Sequence, residues 1–470
     1  MSAKQVPASY GQRQLWFIDR MQGGSAEYNI SLAFRLKGKL DREALQLAFQ
    51  TIVERHESLR TRFAEVDGEP VQVIDAAVQR EVLFEDLSNL EQPELHERIK
   101  DAIRREAAQP LDLQSGPLVK MRLLQLGPED HILLRTTHHI VSDAWSEGVF
   151  RREFKALYEA YQEGRENPLA PLAVQYRDFA VWQRSLFENG QLDIGRQYWR
   201  KQLAGIPDLE LPTDRMRPAV LTFESEICGT MLNSELITDL KRLCKTHKAT
   251  LYMTLLAALG GLLSRYSGQD DIVVGSPIAN RQDIQLEGLI GFFVNYLAMR
   301  MRVTEGITFR ELLAQVRETV FDAYEHQEVP FEQIVKELSP RRNLNRTPVF
   351  QVTFGLQNVP PVDTELNGLE AEPIADTENS VHFDLMVTAM DRDGEIRIDW
   401  ACRRDLFDRW SIERMARHYV RLLQSVVTNV DQVIEQIDIL TPEERQAVHE
   451  WNATEAEYPR ERCVHELFEE

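Results

Sequence analysis

The run HHIVSDAWS, from His138 to Ser146, gathers the chain's most reactive residue types into one short segment. An imidazole titrates near neutrality and can carry a proton, so two adjacent histidines suggest proton-transfer chemistry. The preceding HILLRTT alternates as a strand does, which points His138 and His139 to opposite faces. One can face a cleft while the other packs inward. The pair cannot readily ligate one ion, and no metal is expected. Ser142 and Asp143 are good N-cap residues at the mouth of a helical stretch that begins with Ala144 and Trp145. By spacing alone the segment fits an acyl transferase or a hydrolase. The chain holds no GxSxG elbow, no HExxH, no GxGxxG and no GxxxxGKS/T phosphate loop.

The elements around this segment must hold it in place. Upstream, SLAFRLKG (31–38) alternates like a strand. The next stretch (40–56) sets Leu45, Ala48, Phe49, Ile52 and Val53 at helical spacing behind an Asp41 cap. Strand-like LRTRFAEV and VQVI flank the turn residues Asp67 and Gly68. Residues 94–108 and 144–164 read as helices, and 118–126 and 131–140 as strands. An aromatic-rich helix lies within 168–206. A second cycle follows, with strands at 224–233 and 271–278 and near 349–356, 383–391 and 394–402. Its helices fall at 234–248, 250–268, after 309 and at 407–427.

A chain of 470 residues is too long for one ordinary core. Two cycles of mixed strand and helix predict an α/β fold of two lobes, each a sheet covered by helices, with the site in the cleft between them. The expected division is a first lobe over 1–175, a helical connection over 176–213, a second lobe over 214–435 and a polar linker over 436–470. The net charge of -21 argues against a nucleic-acid partner, because phosphate binding needs clustered Lys and Arg. No apolar run approaches the ~18 residues of a membrane span, and the N-terminus has no signal-peptide core. A cytoplasmic protein, off the membrane and monomeric, is the expectation. The four cysteines have no metal-ligand spacing and suit a reduced compartment.

HHIVSDAWS is similar to the HHxxxDG motif of nonribosomal peptide synthetase condensation domains. Six further motifs of that family appear in order: SYGQRQLWFI (9–18), RHESLRTRF (55–63), YRDFAVWQ (176–183), IGFFVNYLAMR (290–300), HQEVPFEQIV (326–335) and RRNLNRTPVFQVTF (341–354). The resemblance covers roughly 8–440, and the tail is similar to the linker that leads into a downstream adenylation domain. The chain departs from the family pattern at Ala144, where glycine is usual, and at Tyr296, where threonine is usual.

The resemblance implies two chloramphenicol-acetyltransferase-like lobes in a V with a central tunnel. It implies an acyltransferase that forms an amide between a donor thioester and the amine of an aminoacyl group. Both ride on 4'-phosphopantetheine arms of peptidyl carrier domains, with no cofactor bound to the domain itself. By the same analogy His139 faces the tunnel and acts as base, orients the amine or stabilises the oxyanion. His138 packs within the first lobe, and Asp143 pairs with Arg281 from the second. Ser142, Trp145, Asn295, Tyr296 and Gln351 are candidate tunnel-lining residues. Two variants stay open: a starter domain that takes a fatty acyl group from coenzyme A, as in lipopeptides, and a silent module that recruits a partner. An epimerization domain fits the motifs less well, and the adenylation-type linker argues against a free-standing coenzyme A acyltransferase.

Overall fold

A computed structural model of the chain describes residues 4–220, 222–338, 345–357, 367–374, 381–392, 394–455 and 463–469. The last of the family motifs, RRNLNRTPVFQVTF, begins within 339–344, which lie outside the described residues.

Two sheets organise the molecule. The first has five strands, in the order Leu369–Pro373, Asn29–Gly38, Asp130–His138, Val119–Gly127 and Leu83–Asp86. Helices Arg42–Arg55 and Ala144–Gln162 turn their apolar sides, with Phe49, Ile52, Val53, Phe150 and Leu157, into its core. Each is started by an aspartate: Asp41 accepts from the Glu43 and Ala44 amides, and Asp143 from Ser146. A small sheet, Lys4–Pro7, Glu69–Ile74 and Thr61–Val66, stands beside it.

The second sheet has six strands, in the order Asn295–Arg302, Asp271–Ile278, Val352–Gln357, Leu385–Arg392, Glu395–Arg403 and Ser225–Leu232. Val352–Gln357 runs parallel to both neighbours, while the other pairings are antiparallel. Helix Leu251–Ser267 is buried from Met253 to Leu263, as its unbroken apolar sequence requires.

The chain passes between lobes in the segment 176–213. Helix Tyr176–Glu188 belongs with the first lobe, where Gln183 accepts the Tyr10 amide and Arg184 donates to the Ala8 carbonyl. Helix Asp193–Gln202 sends Trp199 into the second core. In return, two pieces of the second half reach the first lobe. Loop residues Leu289–Phe293 pack against Tyr176 and Phe179. Strand Leu369–Pro373, from within 214–435, pairs with Asn29–Gly38 as the edge of the five-stranded sheet.

Beyond 436, where a linker was expected, Ile437 and Ile439 enter the second core and helix Pro442–Asn452 follows. Glu444 of that helix lies 2.8 Å from His418 Nε2. The isolated apolar residues and the Thr441 capping box outweigh the polar composition there. No helix among the described residues is long and apolar enough to cross a membrane.

Candidate functional site

The strand that carries the histidines ends at His138, not at 140 as its alternation predicted, and His139 opens a single 3-10 turn that leads to Asp143. The turn separates the two imidazoles. His138 is 1% exposed, and its Nδ1 accepts the Ile140 amide at 3.1 Å. Burial, aided by the neighbouring His139, lowers its pKa to about 3. His139 stays partly open to solvent, with its Nδ1 2.8 Å from the Ser142 carbonyl. That carbonyl can only accept, so Nδ1 carries the proton and Nε2 presents a free lone pair. Burial lowers the His139 pKa, and the Asp143 carboxylate opposes the shift. The ring stands edge-on to Phe292, with centroids 5.2 Å apart.

Asp143 does not touch His139 but holds the loop around it. Its Oδ1 accepts from the Ser146 amide at 2.8 Å and from Arg281 Nη2 at 2.9 Å, and Oδ2 accepts the Phe293 amide at 3.0 Å. The Ser146 hydroxyl accepts the Gly291 amide at 3.1 Å. Arg281 Nη1 donates to the carbonyls of Leu286 and Leu289 at 2.8 and 2.9 Å, and its guanidinium lies 3.9 Å from the Phe293 ring centroid. The side chains of Asp143 and Arg281 are 0% and 1% exposed. The pair thus ties the motif loop to the 286–293 loop of the second half. Breaking such a pair costs about 3–5 kcal/mol, because the remaining charge is left buried. Gly291 is required at this junction: a Cβ there would enter the Tyr176 ring, whose hydroxyl donates to the Phe292 carbonyl at 2.6 Å.

The other candidates divide. Ala144 is exposed at the first helical position and has no positive φ, so nothing in the backbone demands glycine. Ser142 is buried and contributes its carbonyl, while Trp145 Nε1 donates across the seam to the Glu287 carbonyl at 2.9 Å. Tyr296 packs among Phe331, Phe350 and Phe383, and burial pushes its phenol up to about 12. Asn295 and Gln351, the remaining candidates for the tunnel lining, use their amides to anchor loops. Asn295 donates to the carbonyls of Gln327 and Val329 and accepts from Phe331, each at 2.9 Å. Gln351 accepts from the Leu209 amide and donates to the Thr347 carbonyl.

Sequence reasoning missed the residues opposite His139. The Tyr28 carbonyl accepts the His139 amide at 2.7 Å. The Tyr28 ring stacks on His382, with centroids 4.4 Å apart and planes at 10°. His382 precedes strand Leu385–Arg392 of the second sheet, so the two lobes meet ring to ring beside His139. No local pattern marks either residue. A lone tyrosine before a strand and a lone histidine before another are ordinary in sequence.

Comparison with known proteins fits this geometry. The family model "Condensation domain" matches residues 2–449. One of the linear gramicidin synthase proteins of Brevibacillus parabrevis is 43% identical over 99% of this chain, which spans 6% of that relative. The crystal structure of the X-domain from teicoplanin biosynthesis superposes with a TM-score of 0.85 at 29% identity, covering 93% of this chain and 98% of that one. A four-domain nonribosomal peptide synthetase bound to AMP and glycine gives a TM-score of 0.84 at 21% identity, over 95% of this chain and 34% of that one. The shared architecture is the two-lobed, chloramphenicol-acetyltransferase-like fold.

Proposed function

This chain belongs to the condensation-domain family of nonribosomal peptide synthetases, and from that premise we propose that it forms an amide between two carrier-tethered acyl groups at His139. The free Nε2 of His139, held toward the seam by the Ser142 carbonyl, carries this reading. The acceptor's α-amine attacks the donor thioester carbonyl, and a C–N bond forms. The nitrogen becomes more acidic as it bonds, so even a weakened imidazole can take its proton at Nε2. The C–S bond then breaks, and that proton goes to the departing sulfur as the donor arm's thiol. An α-amine with a pKa around 7.7–8 is already partly neutral in the cell, so alignment of the tethered reactants supplies much of the rate. Carrier domains bind as substrates, and an adenylation domain is the proposed neighbour, as the multidomain relatives suggest.

The test loads an acceptor carrier with an aminoacyl-phosphopantetheine arm. It offers, separately, a carrier-bound aminoacyl donor and a fatty acyl-coenzyme A, and follows the acceptor by intact-protein mass. The expected result is a mass gain with the aminoacyl donor that falls by roughly 100-fold or more in His139→Ala. A gain with the fatty donor alone makes this a starter domain. No gain with either, at intact carrier binding, favours a silent recruitment module, a reading raised by the likeness to the X-domain, whose structure is also known in complex with OxyB.

A further inference from the structure

Behind His382 lies a charge without a ligand. Arg403, the last residue of strand Glu395–Arg403, has a side chain that is 0% exposed. Its Nη1 and Nη2 have no hydrogen-bond partner among the described residues. Nε lies 3.4 Å from Asp405 Oδ1, a long contact. The nearby carboxylates are already engaged. Asp384 receives both terminal nitrogens of Arg217, and Asp405 Oδ2 accepts the amide and hydroxyl of Thr222 at 3.0 Å each. The Arg403 guanidinium lies 5.2 Å from the Phe223 ring centroid, and that ring lies 5.6 Å from His382. His382 Nδ1 is buried and also without a partner. The cation is felt on the seam side. After burial, the His139 ring and Arg403 both lower the His382 pKa, and Arg403 also acts on Glu27, the residue before Tyr28. His382 is thus acted on by both His139 and Arg403, and the Phe223 ring neighbours both His382 and the guanidinium.

An unpartnered, fully buried guanidinium end is costly unless something accepts its protons. With Nη1 and Nη2 both free, the end of the fork matches the two oxygens of a carboxylate. A neutral amide offers one oxygen and turns an NH2 group against the cation. Resting on the amide-forming reading above, we propose that Arg403, flanked by His382, forms a subsite for a side-chain carboxylate. An aspartyl- or glutamyl-type residue on one of the two tethered groups would fill it.

The experiment compares aspartyl with asparaginyl, and glutamyl with glutaminyl, on the acceptor carrier and then on the donor carrier, with alanyl on the opposite side. Amide formation gives kcat/KM, and binding of the same carriers through a thioether-linked arm gives Kd by fluorescence anisotropy. The expected result is a preference of roughly ten- to hundredfold for the acid over its amide on one arm, which identifies that carrier's group as the source. Arg403→Gln abolishes the preference. Equal use of acid and amide by the wild-type domain on both arms overturns the proposal. So does a preference that survives Arg403→Gln, or an equal loss with every substrate, which would mark Arg403 as a brace toward Glu27. Should an Arg403 variant not fold, the wild-type comparison still decides. If alanyl pairs also yield no amide, the amide-forming reading fails on its own, and the anisotropy comparison decides the subsite separately.

Discussion

Two buried arginines of the second half stand in opposite states. Arg281 has acceptors for Nη1 and Nη2, and only its Nε lacks a partner among the described residues. Arg403 has the reverse arrangement, with Nε near Asp405 and both terminal nitrogens free. Both lie against phenylalanine rings. The difference separates two uses of a buried cation. One completes a network that fixes the histidine loop. The other leaves its donors available to whatever enters.

The sharpest way to break this contrast is to remove each cation. Arg281→Ala leaves Asp143 fully buried and unpaired, and should cost about 3–5 kcal/mol in urea denaturation. Arg403→Met removes a buried charge whose terminal nitrogens bond nothing, and should leave stability unchanged or raise it, by up to about 1–4 kcal/mol. Similar losses at both positions would make Arg403 a structural residue like Arg281.

Acid probes the first-lobe side next. His138 has a folded pKa of about 3 against an ordinary value of 6.5, so the unfolded chain binds the extra proton between them. Stability therefore rises with pH through that window and is lost as pH falls below 6.5. At pH 5 the loss from this residue should be about 2 kcal/mol. Denaturation midpoints at pH 7 and 5 measure it, and His138→Gln should flatten the difference. The smallest effect is expected at Ala144. Ala144→Gly should lower stability by no more than about 1 kcal/mol and leave amide formation unchanged, since the position is exposed and its φ is negative.

What could be read in the sequence was local. The alternation before His138, the Asp41 and Asp143 caps and the helix read over 144–164 are written in neighbouring residues, and they placed the histidine loop at a strand-to-helix junction. The Asp143–Arg281 pair became an expectation through the family resemblance, because no spacing rule links residues so far apart. Asn295 and Gln351 stand within two of the motifs, which suggested a lining role. A polar side chain near a site and one holding a loop look alike until their partners are known. Tyr28, Phe223, His382 and Arg403 come from four separate segments and meet only through the packing of two lobes. The same holds for strand Leu369–Pro373, whose sheet partner lies in the first lobe.

That strand sets a timetable for synthesis. Until it is made, Asn29–Gly38 is an open edge with unpaired amides and carbonyls, the kind of surface on which chains aggregate. The last helix of the first lobe is complete at Glu188, and the missing strand follows roughly 10 to 40 s later at ordinary elongation rates. A nascent first lobe must survive that interval uncapped. Recombining lobes from different relatives at a cut between 188 and 193 would pair a foreign edge strand with the native sheet. The safer exchange carries residues 369–373 along with the first lobe they complete.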